Sequence, residues 1–233
     1  HTDPEGNEYQ YKADGSGSTN FADGSSETWA ADGSYSYEGS DGHSSSYNAD
    51  GSGHSSYPDG SSETWHADGS GEYQGADGSS HEWKADGSGS MTHADGSTDN
   101  WHADGSGQWN DAQGNSNSWA SDGSGSWTNA DGSAGSWDAD GSGSATYSDG
   151  STETWNVDGS GSSTYADGSG STWSADGSGS WTNADGSAGT YSADGSGSIT
   201  HADGSSESWN AEGDHKVIDA DGNAVSHDQM AKG

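Results

Sequence analysis

The chain has 233 residues, 24% of them hydrophobic and 41 of them glycine, with a single Phe, two Met and no cysteine. Four lysines and no arginine face 39 acidic residues, for a formal charge of −35, so the chain repels nucleic acid and anionic membranes. No apolar run approaches bilayer length, and the lack of cysteine excludes a disulfide framework and thiol chemistry.

In chain order, residues 1–3 precede a repeat. A chain that opens on His1, without Met, reads as a mature product whose signal peptide has been removed, which predicts secretion. From Pro4 to Asp228 the sequence divides into 25 nonapeptides of the form Ala-Asp-Gly-Ser followed by five variable residues, with no insertion or deletion. Degenerate copies begin Pro4-Glu5-Gly6-Asn7, Ala112-Gln113-Gly114-Asn115, Ala211-Glu212-Gly213-Asp214 and Ala220-Asp221-Gly222-Asn223. Residues 229–233 follow the last repeat. The expectation is a single repeat domain over 1–233. Low hydrophobicity and high charge alone would predict disorder, but a disordered chain has no reason to keep its rings in phase.

Two kinds of nonapeptide alternate. One carries a ring at its eighth position, in the series Tyr11, Trp29, Tyr47, Trp65, Trp83, Trp101, Trp119, Trp137, Trp155, Trp173, Tyr191 and Trp209, spaced by eighteen. The other has Gly at its fifth position and usually Thr at its eighth, as at Thr92, Thr128, Thr146, Thr164, Thr182 and Thr200. Asp-Gly supplies the turn, since Gly tolerates positive φ and the Asp carboxylate accepts from a backbone N–H two residues on. About five residues rich in Ser, Thr, Trp and Tyr remain between turns, enough for a short strand, and nothing repeats at 3.6.

An all-β fold follows, with two arrangements open. In a β-solenoid, each eighteen-residue coil contributes two strands that stack in parallel on those of the next coil. In an antiparallel meander, each Asp-Gly is a two-residue hairpin turn. The doubled period favours the solenoid, because two facing walls give alternate strands a reason to differ. The period of nine and the phrase Gly-Ser-Gly-Ser resemble the β-roll of RTX proteins, whose repeats bind calcium between coils. The resemblance covers most of the chain in period, but here the acid precedes the glycine and Ser or Glu stands where that family has Asp. None of that family's ligands is therefore carried over.

On the solenoid reading the ring column is the core, joined by alanines such as Ala67, two residues from Trp65 on a strand. A second series, Phe21, Tyr37, Tyr57, Tyr73, Met91, Trp109, Trp127, Tyr147, Tyr165, Trp181, Ile199 and Val217, occupies seventh or ninth positions. With Thr facing inward it forms an exposed stripe for lateral contacts or a glycan; with it buried, Ser126, Thr128 and their equivalents form a hydroxyl row facing water. The first arrangement is preferred.

The Asp ladder is the strongest chemical feature. In a solenoid its carboxylates lie ~5 Å apart and repel one another. Asx turns explain the ladder structurally. Calcium or another hard cation, held by Asp23, Asp32, Asp41, Asp50, Asp59 and Asp68 with their equivalents, is the functional expectation. No cofactor is required. His66, His93, His102 and His201 lack ligand spacing and read as solvated surface, while Glu27, Glu63, Glu153 and Glu207, two residues before the ring, read as solubilising or turn-adjacent charges. No nucleophile elbow or phosphate loop is present, so no enzyme is expected.

The functional expectation is a secreted structural protein, assembling head to tail into an extracellular filament or matrix fibre. Residues 229–233 and 1–3 of the next chain, with Lys232 offsetting nearby acids, would fill a one-strand gap at each junction. The expected partner is a second copy of the chain, then lateral filaments or polysaccharide. The rival is a surface-binding module for ice or polysaccharide.

Overall fold

The computed structural model describes residues 1–225, so His227, Lys232 and the segment 229–233 lie outside the described residues. It divides into two units, His1–Ser118 and Trp119–Gly233. Both are built from four-residue strands, and there is no helix among the described residues. In the first unit the strands run Glu8–Tyr11, Gly17–Asn20, Ser26–Trp29, Tyr35–Glu38 and onward at nine-residue steps to Gly107–Asn110, each pairing antiparallel with its sequence neighbours. The second unit repeats the arrangement from Gly125–Thr128 to His215–Ile218, ending on the shorter strand Ala224–Val225.

This is the antiparallel meander, and the solenoid is corrected: strands pair in hairpins with the strand nine residues away, not in parallel with the one eighteen away. The turn is also not the expected two-residue hairpin. In Phe21-Ala22-Asp23-Gly24-Ser25, the Phe21 N–H donates to the Ser25 carbonyl at 2.8 Å and the Gly24 N–H donates to the Phe21 carbonyl at 3.0 Å. That is a three-residue loop, a type I turn closed by a left-handed residue. A two-residue type I′ turn would need positive φ at Asp as well. Among the described residues φ is positive at 25 glycines, one per loop from Gly6 to Gly222, at 81–93°, and at no other residue type.

In the regular repeats the Asp before this glycine ties the loop shut. Ser25 donates both its backbone N–H (2.9 Å) and its hydroxyl (2.6 Å) to Asp23 Oδ1, and the same pair recurs at Asp59 with Ser61, Asp95 with Ser97 and Asp149 with Ser151. The degenerate repeats keep the loop by moving the carboxylate. Where Glu5 and Gln113 replace Asp, the acceptor becomes Asp3 or Asp111 at the head of the loop, bonded by Asn7 or Asn115. Asp219 does the same for Asn223, and at 210–214 the roles reverse, with Asn210 Oδ1 accepting from the Asp214 N–H at 2.8 Å.

The doubled period has its cause in cross-strand pairing. Gly17 stands directly opposite Trp29, Gly71 opposite Trp83 and Gly143 opposite Trp155. The indole lies flat over the glycine before it, so closely that a Cβ at Gly143 would fall 2.5 Å from Trp155 Cζ2. The ring covers backbone that glycine leaves bare. Its N–H then donates to the carbonyl of the loop glycine fourteen residues earlier: Trp29 to Gly15 (3.1 Å), Trp101 to Gly87 (3.0 Å), Trp155 to Gly141 (3.0 Å) and Trp209 to Gly195 (2.8 Å). Alternate strands differ because one carries the ring and the next makes room for it.

Candidate functional site

Side chains alternate across each strand, so the register sorts them onto two faces. Opposite Glu27 stands Tyr37, and opposite Thr28 stands Ser36. One face therefore carries Glu27, Trp29 and Tyr37; the other carries Thr28 and Ser36. Both ring series share a face. In the first unit the column Tyr11, Trp29, Tyr47, Trp65, Trp83, Trp101 runs beside Tyr37, Tyr73, Met91 and Trp109; in the second, Trp137, Trp155, Trp173, Tyr191, Trp209 run beside Trp127, Trp181, Ile199 and Val217. Phe21, Tyr57, Tyr147 and Tyr165 sit just past their strands, at the first position of the loops.

No second layer covers these rings among the described residues, and the two-walled rod is corrected accordingly. Ala145, at 5% exposure, is the one buried hydrophobic residue described. The tryptophans are half-buried by their own strand neighbours, while Tyr11 (72%) and Tyr165 (55%) are largely exposed. Ala67, expected beside Trp65 in a core, is an exposed turn residue.

Neighbouring rings touch. Tyr11 meets Trp29 at 5.7 Å and Tyr47 meets Trp65 at 5.1 Å, both tilted, and His81 lies against both Trp83 (5.2 Å) and Trp101 (5.6 Å). Carboxylates stand among them on the same face. Glu27 accepts from the Tyr35 hydroxyl and Glu153 from the Tyr147 hydroxyl, each at 3.1 Å. Asp99 holds His93 at 2.7 Å, and Glu207 is bracketed by His201 (3.3 Å) and His215 (3.1 Å). Glu27, Glu153, Glu207, His93 and His201, read from sequence as surface groups, thus have side-chain partners on this face.

The opposite face is hydroxylic. Thr28 and Ser36 share a hydrogen bond of 2.6 Å, Thr154 and Ser162 one of 2.7 Å, and Thr190 and Ser198 one of 2.8 Å. A shallow groove on this face of the first unit, about 510 Å³, is lined by Gln10, Ser18, Thr28, Ser36 and Ser46 with Lys12 at its rim.

The Asp positions fall differently from expectation. Successive loops lie at opposite strand ends, so Asp23, Asp41 and Asp59 share one edge and Asp32, Asp50 and Asp68 the other. Neighbours on one edge are two strand spacings apart, about 10 Å rather than the ~5 Å of a solenoid, where repulsion in water falls below about 0.5 kcal/mol. The Ser25 hydroxyl and then its backbone N–H hold the Asp23 carboxyl below the usual aspartate range; Asp50, Asp59 and Asp68 are lowered by the same pair of donors, and Asp32 by Ser34 with the backbone donor leading. Among the described residues no group of three or more His, Cys, Asp or Glu is placed to hold a metal ion.

No protein-family model matches the chain, and no curated protein matches it. Solved structures that it resembles include the TCP10 domain of Danio rerio CPAP in complex with a peptide of Danio rerio STIL, at 20% identity and a TM-score of 0.45, covering 78% of this chain and 96% of that one. Others are a CPAP G-box domain (22%, TM-score 0.38, 69% and 99%) and the TCP domain of Drosophila melanogaster SAS-4 with a proline-rich motif of Ana2 (19%, TM-score 0.40, 57% and 89%). The CPAP G-box domain is described with a role in centriole elongation, and two of these neighbours hold a peptide of another protein; none is described as a secreted fibre, an ice-binding surface or a glycan-binding surface. The meander also removes the coil stack and one-strand gap on which end-to-end growth depended. The expectation of a self-assembling filament is corrected on that ground, and those of an extracellular location and of a surface-binding module find no counterpart among these neighbours and are not carried further.

Proposed function

We propose that the chain is a non-catalytic docking scaffold whose ring-bearing face binds an extended, cationic segment of a partner protein. The observation that carries the reading is the spacing of the ring column on an uncovered face. Rings recur every second strand, about 9.6 Å at ordinary strand separation. A polyproline II segment advances about 9.3 Å in three residues. Such a segment, laid across the strands, presents every third side chain to a ring, the mode in which aromatic surfaces take extended, proline-containing peptides.

Charge sets the partner's sign. Glu27, Glu63 and Asp99 in the first unit, and Glu153 and Glu207 in the second, share the ring face. The chain as a whole carries −35, so a basic segment is drawn in at long range and its cations meet ring faces and carboxylates together. The first unit carries six rings of the column, which about fifteen residues of polyproline II would span.

The test titrates the chain with a fifteen-residue peptide repeating Arg-Pro-Pro, following tryptophan emission. Saturable binding that weakens with salt, and weakens again when arginine is moved to every second position, is the expected result. An emission spectrum indifferent to this peptide, or equal binding of a Glu-Pro-Pro peptide, would overturn the reading.

A further inference from the structure

On the ring face of the first unit, a cleft of about 520 Å³ opens between the loops 75–79 and 93–97. Its floor is His81 and Met91, its wall Tyr73, and its rim Asp77, Asp95 and His93. Thirty-six residues earlier the repeat has the same strand pairing and different side chains. There Tyr37 meets His43 at 5.8 Å and His43 stacks on Tyr57 at 5.2 Å and 11°, a bridge of three rings from one loop to the next. Beneath that bridge Ser45 and Ser55 are buried and share a 3.0 Å hydrogen bond.

In the later copy Tyr73 is retained, but Ser79 replaces His43 and His93 replaces Tyr57. The Ser79 hydroxyl turns to Asp77 Oδ1 at 2.6 Å, and His93 is drawn aside to Asp99 at 2.7 Å. The bridge is gone, and the floor beneath is a thioether and an imidazole, both half-buried, in place of two small buried hydroxyls.

Resting on the docking reading above, we propose that this cleft is the anchor pocket for one arginine side chain of the bound segment. The floor and wall offer two π faces and a polarizable sulfur to a planar, weakly hydrated cation. Asp77 and Asp95 stand on consecutive loops of one edge, about 10 Å apart, one on each flank. Lys84 is the nearest lysine in sequence, and its loop lies at the opposite strand end. A guanidinium suits this lining better than an ammonium, whose tighter hydration shell must be stripped.

Met91 reports on the site directly, because the chain has two methionines and the other, Met230, is remote in sequence. With methyl-¹³C methionine in the full chain, the Arg-Pro-Pro peptide is expected to shift the Met91 methyl resonance in step with the indole emission. Replacing arginine by citrulline, neutral and of the same shape, should weaken binding about tenfold, and lysine should fall between. The double variant Ser79→His with His93→Tyr rebuilds the three-ring bridge without touching the ring column. It should silence the Met91 response and leave the indole response in place. Indole emission that titrates while Met91 stays still in the wild-type chain would overturn the anchor and leave the docking reading standing. If neither signal moves, both are overturned.

Discussion

Gly143→Ala tests whether the ring-over-glycine pair holds the strands in place. The added Cβ would lie 2.5 Å from Trp155 Cζ2 and 2.3 Å from the Ser136 carbonyl oxygen, whereas ordinary carbon contacts begin at about 3.5 Å. The indole must therefore move by about 1 Å, which carries its N–H from 3.0 Å to about 4 Å from the Gly141 carbonyl. Losing that hydrogen bond costs about 1 kcal/mol, and lifting a half-buried indole from its strand costs about as much again. The clash with Ser136 adds a further cost that does not involve the ring. A double-mutant cycle with Trp155→Ala separates the two, since only the indole's share disappears when the indole is absent. Urea midpoints of the four proteins should give a coupling of about 2 kcal/mol between positions 143 and 155. If Gly143→Ala costs the same with and without Trp155, the ring does not rest on the glycine and the explanation of the doubled period fails.

Two further outcomes follow from the loops. The lowered Asp23 carboxyl contributes stability that is complete above the ordinary aspartate value of about 3.9 and is lost as pH falls through its lower folded value, so the loss of urea midpoint caused by Asp23→Asn should be level above about pH 5 and shrink below about pH 4; a loss that grows on acidification would contradict the bonding at Asp-Gly-Ser. Asp111→Asn should lower the urea midpoint by weakening the loop at Gly114, and adding Gln113→Asp with Asn115→Ser should restore it by returning the acceptor to its usual place; a triple variant no better than the single one would show that the moved carboxylate is not the compensation.

Much of the local structure was legible. The recurring Asp-Gly-Ser announces a turn with positive φ at glycine and an Asp acceptor two residues from its donor, and both are present at Asp23-Gly24-Ser25. The five residues left between turns, rich in Ser, Thr and rings, announce strands. The pairing of those strands was misread because the doubled period was assigned to two facing walls. A local signal for the meander was available: Trp29, Trp65, Trp83, Trp101, Trp155 and Trp209 each have Gly twelve residues before them, the separation of cross-strand partners in this hairpin. Tyr47, with Tyr35 at that place, is the exception, and there two rings tilt against each other at 6.1 Å. The face shared by both ring series depends on strand register, and register depends on loop length. A two-residue loop would have placed Tyr37 differently against Glu27. The cleft over Met91 was not legible at all, since it arises from His93 leaving its column for Asp99, a contact that needs the third dimension.

The antiparallel register itself is open to a direct chemical test, because the chain has no cysteine of its own. Thr154 and Ser162 face each other with their hydroxyls 2.7 Å apart, while Ser144 and Ser162, eighteen residues apart, lie two strands from one another. Mild oxidation of the Thr154→Cys, Ser162→Cys variant should form the disulfide nearly to completion, and the Ser144→Cys, Ser162→Cys variant should stay reduced. Efficient closure of the second pair, with the first remaining free, would put residues eighteen apart on adjacent strands and contradict the meander.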